Sequence, residues 1–285
     1  MTDNRARIAN VRSILENTQR KQRRRARKRE TQAMVSLATP QAQGELLNPS
    51  TESEVGFMQD PRLFTDKQLE RIGVVHPRSK NRALVDSLRQ MRTKLFQACP
   101  EGNFTVMVTS VVPEGGASFI ALNLASTISF DRAKTSLLID GNMYDPTLHK
   151  MLEMIKLKPQ YGLLDYLSDP NIGIENIVSP SGIPRMRIVP IGNRMEGDTE
   201  HLTSKKMSSF LDEIKQRYDN RFVVIDAPSI SSSVDARVVA DLCDFIILVV
   251  PYGGVSPNVI ETVVDEIDEQ KLVGVVLNNE PHASF

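Results

Sequence analysis

Phe104-Thr-Val-Met-Val-Thr-Ser-Val-Val-Pro-Glu-Gly-Gly-Ala-Ser118 reads as a strand that runs into a glycine turn and then into a helix. Its first seven residues, ending at Ser110, are mostly apolar or β-branched, which predicts a strand. Pro113, Gly115 and Gly116 break the run. Small and apolar residues follow from 118 to 129 and predict a helix that opens on a hydroxyl. Backbone N–H groups of such a turn and the dipole of the helix both favour an anion. Gly115, Gly116, Ala117, Ser118 and Phe119 are therefore the candidate phosphate-binding residues.

Outward from this stretch the pattern repeats. Strands are predicted at 135–140, 187–191, 221–226, 245–251 and 273–278, with helices at 83–96, 146–154, 163–167, 204–218, 235–242 and 259–270. The strands are nearly continuous apolar runs, as expected where helices cover both faces of a sheet. Alternating strands and helices predict an α/β protein with a doubly wound, mostly parallel sheet. Ligands of such sheets bind at the carboxyl ends of the strands. The loop after Ser110, Asp140 and Asp226 all fall at such ends. Ser118 is placed to reach a bound magnesium ion, and Asp140 and Asp226 to hold the ion and orient a nucleophile. The same aspartates could instead cap the helices that follow them, with no ligand at all.

The chain has 285 residues, two cysteines (Cys99 and Cys243) and four scattered histidines. A disulfide scaffold and an HExxH zinc helix are excluded. The longest apolar run, 245–251, is too short to span a bilayer. No apolar stretch follows the N-terminal positive charges, so a cytoplasmic protein is expected. The zero net charge hides an asymmetry: residues 1–30 hold eleven Lys or Arg against Asp3, Glu16 and Glu30. This segment is either a solvated, partly helical tail or an electrostatic contact for an acidic partner or an anionic membrane surface. It has no aromatic residue to stack on bases, so nucleic acid is not the expected partner. Residues 31–54 are rich in Ser, Thr, Gln, Pro and Glu, which reads as linker. The expected division is a basic tail and linker over 1–78 and a P-loop NTPase-like domain over 79–285.

The P-loop signature GxxxxGK[ST] uses its lysine to span the terminal phosphates. Here that position holds Ala117, and Glu114 places an acid in the loop. A charge-assisted hydrogen bond contributes about 1.5–3 kcal/mol. Its loss is expected to weaken nucleotide binding and to cripple phosphoryl transfer.

Three motifs carry a family resemblance over residues 80–279. Ser110-Val-Val-Pro-Glu-Gly-Gly-Ala-Ser118 is similar to SxxPGEGKS, matching at Ser110, Pro113, Gly116 and Ser118. Leu137-Leu-Ile-Asp140-Gly-Asn142-Met-Tyr144 is similar to a hydrophobic run followed by DxDxR, with Asn142 and Tyr144 replacing the second aspartate and the arginine. Phe222-Val-Val-Ile-Asp226-Ala-Pro228 keeps the hydrophobic-DxP motif intact. On these residues the chain resembles the cytoplasmic domain of bacterial tyrosine autokinases. That family acts with polysaccharide co-polymerases in capsule and exopolysaccharide synthesis and export. It falls in the deviant-Walker P-loop class of the septum-site and plasmid-partition ATPases. The resemblance implies ATP or ADP with magnesium, a membrane polysaccharide co-polymerase or related export protein as partner, and a position at the inner face of the plasma membrane. It also implies a homo-oligomer through an ExxRxxR helix, whose spacing is kept by Asp86, Arg89 and Arg92. The family's C-terminal tyrosine cluster has no counterpart in Asn279-Glu-Pro-His-Ala-Ser-Phe285. The expectation is a degenerate member acting as a regulatory or scaffold subunit. The alternatives are an active kinase or ATPase that borrows a charge from Lys134, Lys150 or a partner subunit, and a partition-type positioning ATPase.

Overall fold

The structure is a computed structural model that describes residues 63–144, 148–193, 202, 205–217 and 220–280. Seven strands form one sheet: β1 (Thr105–Ser110), β2 (Thr135–Asp140), β3 (Ser179–Pro180), β4 (Met186–Val189), β5 (Arg221–Asp226), β6 (Phe245–Pro251) and β7 (Leu272–Asn278). Their spatial order is β3-β4-β2-β5-β1-β6-β7. All neighbours are parallel except β3, which pairs antiparallel with β4 at the edge. The helices are α1 (Asp66–Arg71), α2 (Arg82–Ala98), α3 (Ala117–Ile128), α4 (Leu148–Met154), α5 (Leu163–Ser168), α6 (Ile174–Ile177), α7 (Lys205–Arg217), α8 (Val234–Leu242) and α9 (Pro257–Glu266). This is the doubly wound α/β architecture that the alternating pattern predicts.

Successive strand residues point to opposite faces, so each apolar run feeds two cores. Val106, Val108, Leu138, Val224 and Val249 pack with Ile120, Leu124 and Ile128 of α3 and with Leu95 of α2. Met107, Leu137, Ile139, Ile225 and Leu248 pack on the other face with Phe210 and Ile214 of α7, Val239 of α8 and Ile260 of α9. β1, β2 and β5 are buried along their whole length. That burial explains the absence of polar–apolar alternation in their sequences. At the amino ends of the strands Phe96, Phe104, Phe222 and Phe245 stack with centroids 4.8–5.7 Å apart.

Among the described residues, chain before the expected boundary at 78/79 already packs on the domain. Thr65 caps α1 through a capping box with Gln68. Phe64, Leu69 and Val74 are buried in the core that covers α3. A helix of six residues carries too few apolar positions to declare a period inside a polar stretch, which is why it reads as linker. The basic segment over 1–30 and the linker as far as residue 62 lie outside the described residues. α9 begins at Pro257, a first-turn position that suits proline, and stops at Glu266 rather than 270.

Candidate functional site

β1 lies between β5 and β6, and β5 lies between β1 and β2. The carboxyl ends of β1, β5 and β2 are therefore three consecutive positions along one rim of the sheet. The structure brings together there the loop after Ser110, Asp226 and Asp140.

The loop folds onto itself before α3 begins. Ser110 Oγ donates to the carbonyl of Val112 at 2.7 Å, and Gly115 N–H donates to the same carbonyl at 3.2 Å. A Cβ at Gly115 would stand 2.7 Å from Ser110 Cβ, so this close approach requires glycine. Gly116 adopts φ +92° and Glu114 φ +59°, both in the left-handed region. Asn278, the last residue of β7, donates through Nδ2 to the carbonyl of Gly115 at 3.1 Å. Gly116 caps α3 without any side-chain hydrogen bond, so the N–H groups of its first turn stay available to an anion. Ala117 is 7 % exposed, which leaves no cation at the lysine position. Ser118 is half-buried in that turn. The ring of Phe119 lies against Gly73, so of this candidate only the backbone belongs to the cradle.

Asp140 and Asp226 are register partners on adjacent parallel strands, and each is 1 % exposed. Neighbouring strands run about 4.8 Å apart. Two ionised carboxylates at about 5 Å repel by roughly 3 kcal/mol in a partly screened environment. A divalent cation offsets that repulsion. Gly141 N–H donates to the carbonyl of Asp226 at 2.8 Å, and Asn142 N–H donates to Asp140 Oδ1 at 3.1 Å. Asn142 Oδ1 accepts in turn from Tyr144 N–H at 3.2 Å. The residues that replace the family's aspartate and arginine thus shape a turn, and Tyr144 stands 66 % exposed at its end.

Among the described residues no group of three or more His, Cys, Asp or Glu could hold a metal ion. Two carboxylates and a serine hydroxyl suit magnesium, which keeps several waters and takes its remaining ligands from phosphate. The donor set fits an ion that arrives with a nucleotide and does not fit a protein-only cage.

Beyond Asp226 a shallow recess opens between the 141–144 turn and α8, lined in part by Met143, Tyr144, Ile225, Pro228, Asp235 and Val239. Burial pushes the Asp235 carboxyl above the usual carboxylate range, against a hydrogen bond from its own backbone. Asp235 is not among the candidate site residues of the sequence, where it only opens the helix predicted at 235–242.

Two other expectations separate in three dimensions. Lys134 Nζ sits over the rings of Phe96 and Phe222 at 4.8 and 5.3 Å, at the amino ends of the strands. A six-residue strand is about 20 Å long, so Lys134 cannot serve the loop after β1. The side chain of Lys150 lies outside the described residues. On α2, Arg89 pairs loosely with Asp86 at 3.8 Å, and both are exposed. Arg92 instead turns inward and donates to the carbonyl of Thr127 at 2.9 Å, near the C-terminus of α3. Burial lowers its pKa from the usual arginine value. No described helix is long and apolar enough to cross a membrane.

No family model matches the chain. It is 30% identical over 190 residues to the tyrosine-protein kinase CpsD of Streptococcus agalactiae serotype III, covering 64% of this chain and 78% of CpsD. It is 24% identical over 225 residues to the tyrosine-protein kinase ptk of Acinetobacter johnsonii, covering 78% of this chain and 30% of that protein. It is 27% identical over 223 residues to the succinoglycan biosynthesis transport protein ExoP of Rhizobium meliloti, covering 74% of this chain and 26% of ExoP. The chain thus spans under a third of the length of the latter two relatives. The kinase domain of the Escherichia coli tyrosine kinase ETK superposes with a TM-score of 0.61 at 21% identity, over 70% of this chain and 79% of that domain. With the loop after β1 and the two strand-end aspartates in place, the likeness to CpsD over most of its length shows that this chain belongs to the bacterial tyrosine-protein kinases.

Proposed function

We propose that the protein is a degenerate tyrosine-kinase-like subunit that binds magnesium with ATP or ADP weakly and regulates or scaffolds capsule or exopolysaccharide production. The observation that carries this reading is Ala117. A buried methyl group stands where the lysine belongs, inside a cradle that otherwise keeps Gly116, Ser118, Asp140 and Asp226. Gly115 to Phe119 would hold phosphate through backbone N–H groups. Ser118, Asp140 and Asp226 would hold the magnesium ion, which supplies charge neutralisation at the phosphates. Without the lysine, charge developing between the terminal phosphates in transfer has no side-chain cation to meet it. The name of ExoP supports the link to polysaccharide production, and a membrane co-polymerase or related export protein is the partner we infer. Asp86 and Arg89 are the surface we assign to a homo-oligomer contact. The basic tail suits an acidic partner or an anionic membrane at the inner face of the plasma membrane.

Titration calorimetry with ATP and ADP in magnesium tests the reading, with Asp226→Ala as control. Binding that is lost in the control, together with no transfer of phosphate to tyrosine, is the expected result. A second reading, a working kinase that takes a cation from a partner subunit, is favoured by the intact pair of aspartates. Phosphotyrosine on the protein from cells that disappears in Asp140→Ala would establish it instead.

A further inference from the structure

Residues 63–76 cross α3 as a strap. At one end Leu63 N–H donates to the carbonyl of Gly182 at 3.0 Å, beside the β3–β4 connection. At the other end His76 sits buried between Asp66 and Glu70 of α1, its ring nitrogens 3.3 and 3.6 Å from their carboxylates. Between these ends two α3 side chains, Asn123 and Ser126, hydrogen-bond the strap. Asn123, fully buried in the middle of α3, accepts from Val75 N–H at 2.7 Å and donates to the carbonyls of Gly73 at 3.0 Å and Phe119 at 2.9 Å. Ser126 Oγ adds a bond to the carbonyl of Val75 at 2.9 Å.

An asparagine in the middle of a buried helix is costly unless its amide is satisfied. Here two of its three partners come from the strap. The third, Phe119, belongs to the first turn of α3, where the phosphate cradle begins. The ring of Phe119 also rests on Gly73, where a Cβ would stand 3.3 Å from the ring. If the strap lifted, Asn123 would lose the Val75 and Gly73 bonds within an apolar core, and the first turn of α3 would lose its outer support. The docked strap and the ordered cradle are therefore two aspects of one state.

We propose that the strap is a regulatory device. Its docking on α3 sets the order of the 111–119 loop, with Asn123 as the joint, so that whatever pulls on the chain before Leu63 changes the affinity of the cradle. By reciprocity, filling the cradle would tighten the strap. The proposal deepens the reading of the loop as an anion cradle, and its test needs no ligand, so a failure of nucleotide binding and a failure of coupling are read separately.

The test is amide hydrogen exchange on the full chain at one pH. Ser126→Ala removes a strap bond without touching the loop. Ser129→Ala removes a hydroxyl at the same helix end that bonds only within the turn, to the carbonyl of Ser126. The expected result is at least threefold faster exchange in both 63–76 and 111–119 for Ser126→Ala, and no change in either segment for Ser129→Ala. Asn123→Ser, which keeps a shorter polar group, is expected to speed both segments further. Faster exchange in the strap with the loop at its wild-type rate would overturn the coupling. So would a strap unmoved by both Ser126→Ala and Asn123→Ser, since it would then not be held through this joint.

Discussion

The carboxamide of Asn278 bolts the carbonyl of Gly115 across 163 residues of sequence, and it lies so close to Gly116 that a Cβ there would have to displace it. The last strand of the sheet therefore sets the conformation of the loop after the first.

Gly116→Ala carries two penalties, the left-handed φ and the collision with Asn278. A non-glycine residue in that region costs about 1–2 kcal/mol before any clash. We expect a loss of about 2–3 kcal/mol by urea denaturation. Asn278→Ala in the same chain should recover the part due to the collision and leave the part due to φ. Equal stability of the single and double variants would show that the contact exerts no strain.

The adjacent Asp140 and Asp226 make opposite demands on the apo and the loaded protein. Asp226→Asn removes one of two neighbouring negative charges, so the apo protein should gain about 1 kcal/mol. The rise in Tm produced by magnesium with ADP should vanish. A thermal-shift series with and without magnesium checks both signs.

Ala117→Lys tests the lost cation directly. A charge-assisted bond of about 1.5–3 kcal/mol corresponds to roughly 10- to 150-fold in affinity. ATP should therefore bind at least tenfold more tightly in calorimetry. An unchanged affinity would mean that the loop cannot present the ammonium group to the phosphates.

Full burial pushes the Cys243 thiol up to about 12, with Asp244 adding to the effect. In the unfolded chain the thiol loses its proton near its usual value, lower than in the fold. Above pH 9 the native state thus binds more protons than the unfolded state, and stability falls as pH rises toward 12. This contribution amounts to roughly 1 kcal/mol per pH unit. Cys243→Ala should flatten the decline in the urea midpoint between pH 8 and pH 10. The half-buried Cys99 should react with a thiol reagent in the native protein, and Cys243 only on unfolding.

Arg92 and Arg89 should behave differently although they are one helical turn apart. Arg92→Ala removes the bond to Thr127 and should cost about 1–2 kcal/mol of stability. Arg89→Ala removes an exposed 3.8 Å pair and should cost under about 0.5 kcal/mol. If α2 is an oligomer contact, sedimentation velocity should show Arg89→Ala shifting the assembly toward monomer while its fold stays intact.

Much of this was legible in the linear sequence because it depends on near neighbours. The runs 135–140, 221–226 and 245–251 match β2, β5 and β6 residue for residue, since burial on both faces keeps their middles continuously apolar and leaves polar residues to their ends. The glycines after Ser110 and the aspartates at two strand ends marked out a candidate rim, because a strand end is a local feature. Ala117 in the lysine position is also a fact of the sequence alone.

Tertiary structure decided the rest, where long-range partners outweigh local pattern. Strand order made Asp140 and Asp226 neighbours, and no periodicity encodes which strands pair. Residues 63–78 read as polar linker, yet Phe64, Leu69 and Val74 find a core supplied by α3, and Asn123 satisfies the backbone that follows them. Arg92 shares the exposed spacing of Asp86 and Arg89, but a helix C-terminus beside it supplies a carbonyl and draws it inward. Lys134 is close to Asp140 in sequence and a strand length away in space, held over two phenyl rings, because a β-strand separates what it connects.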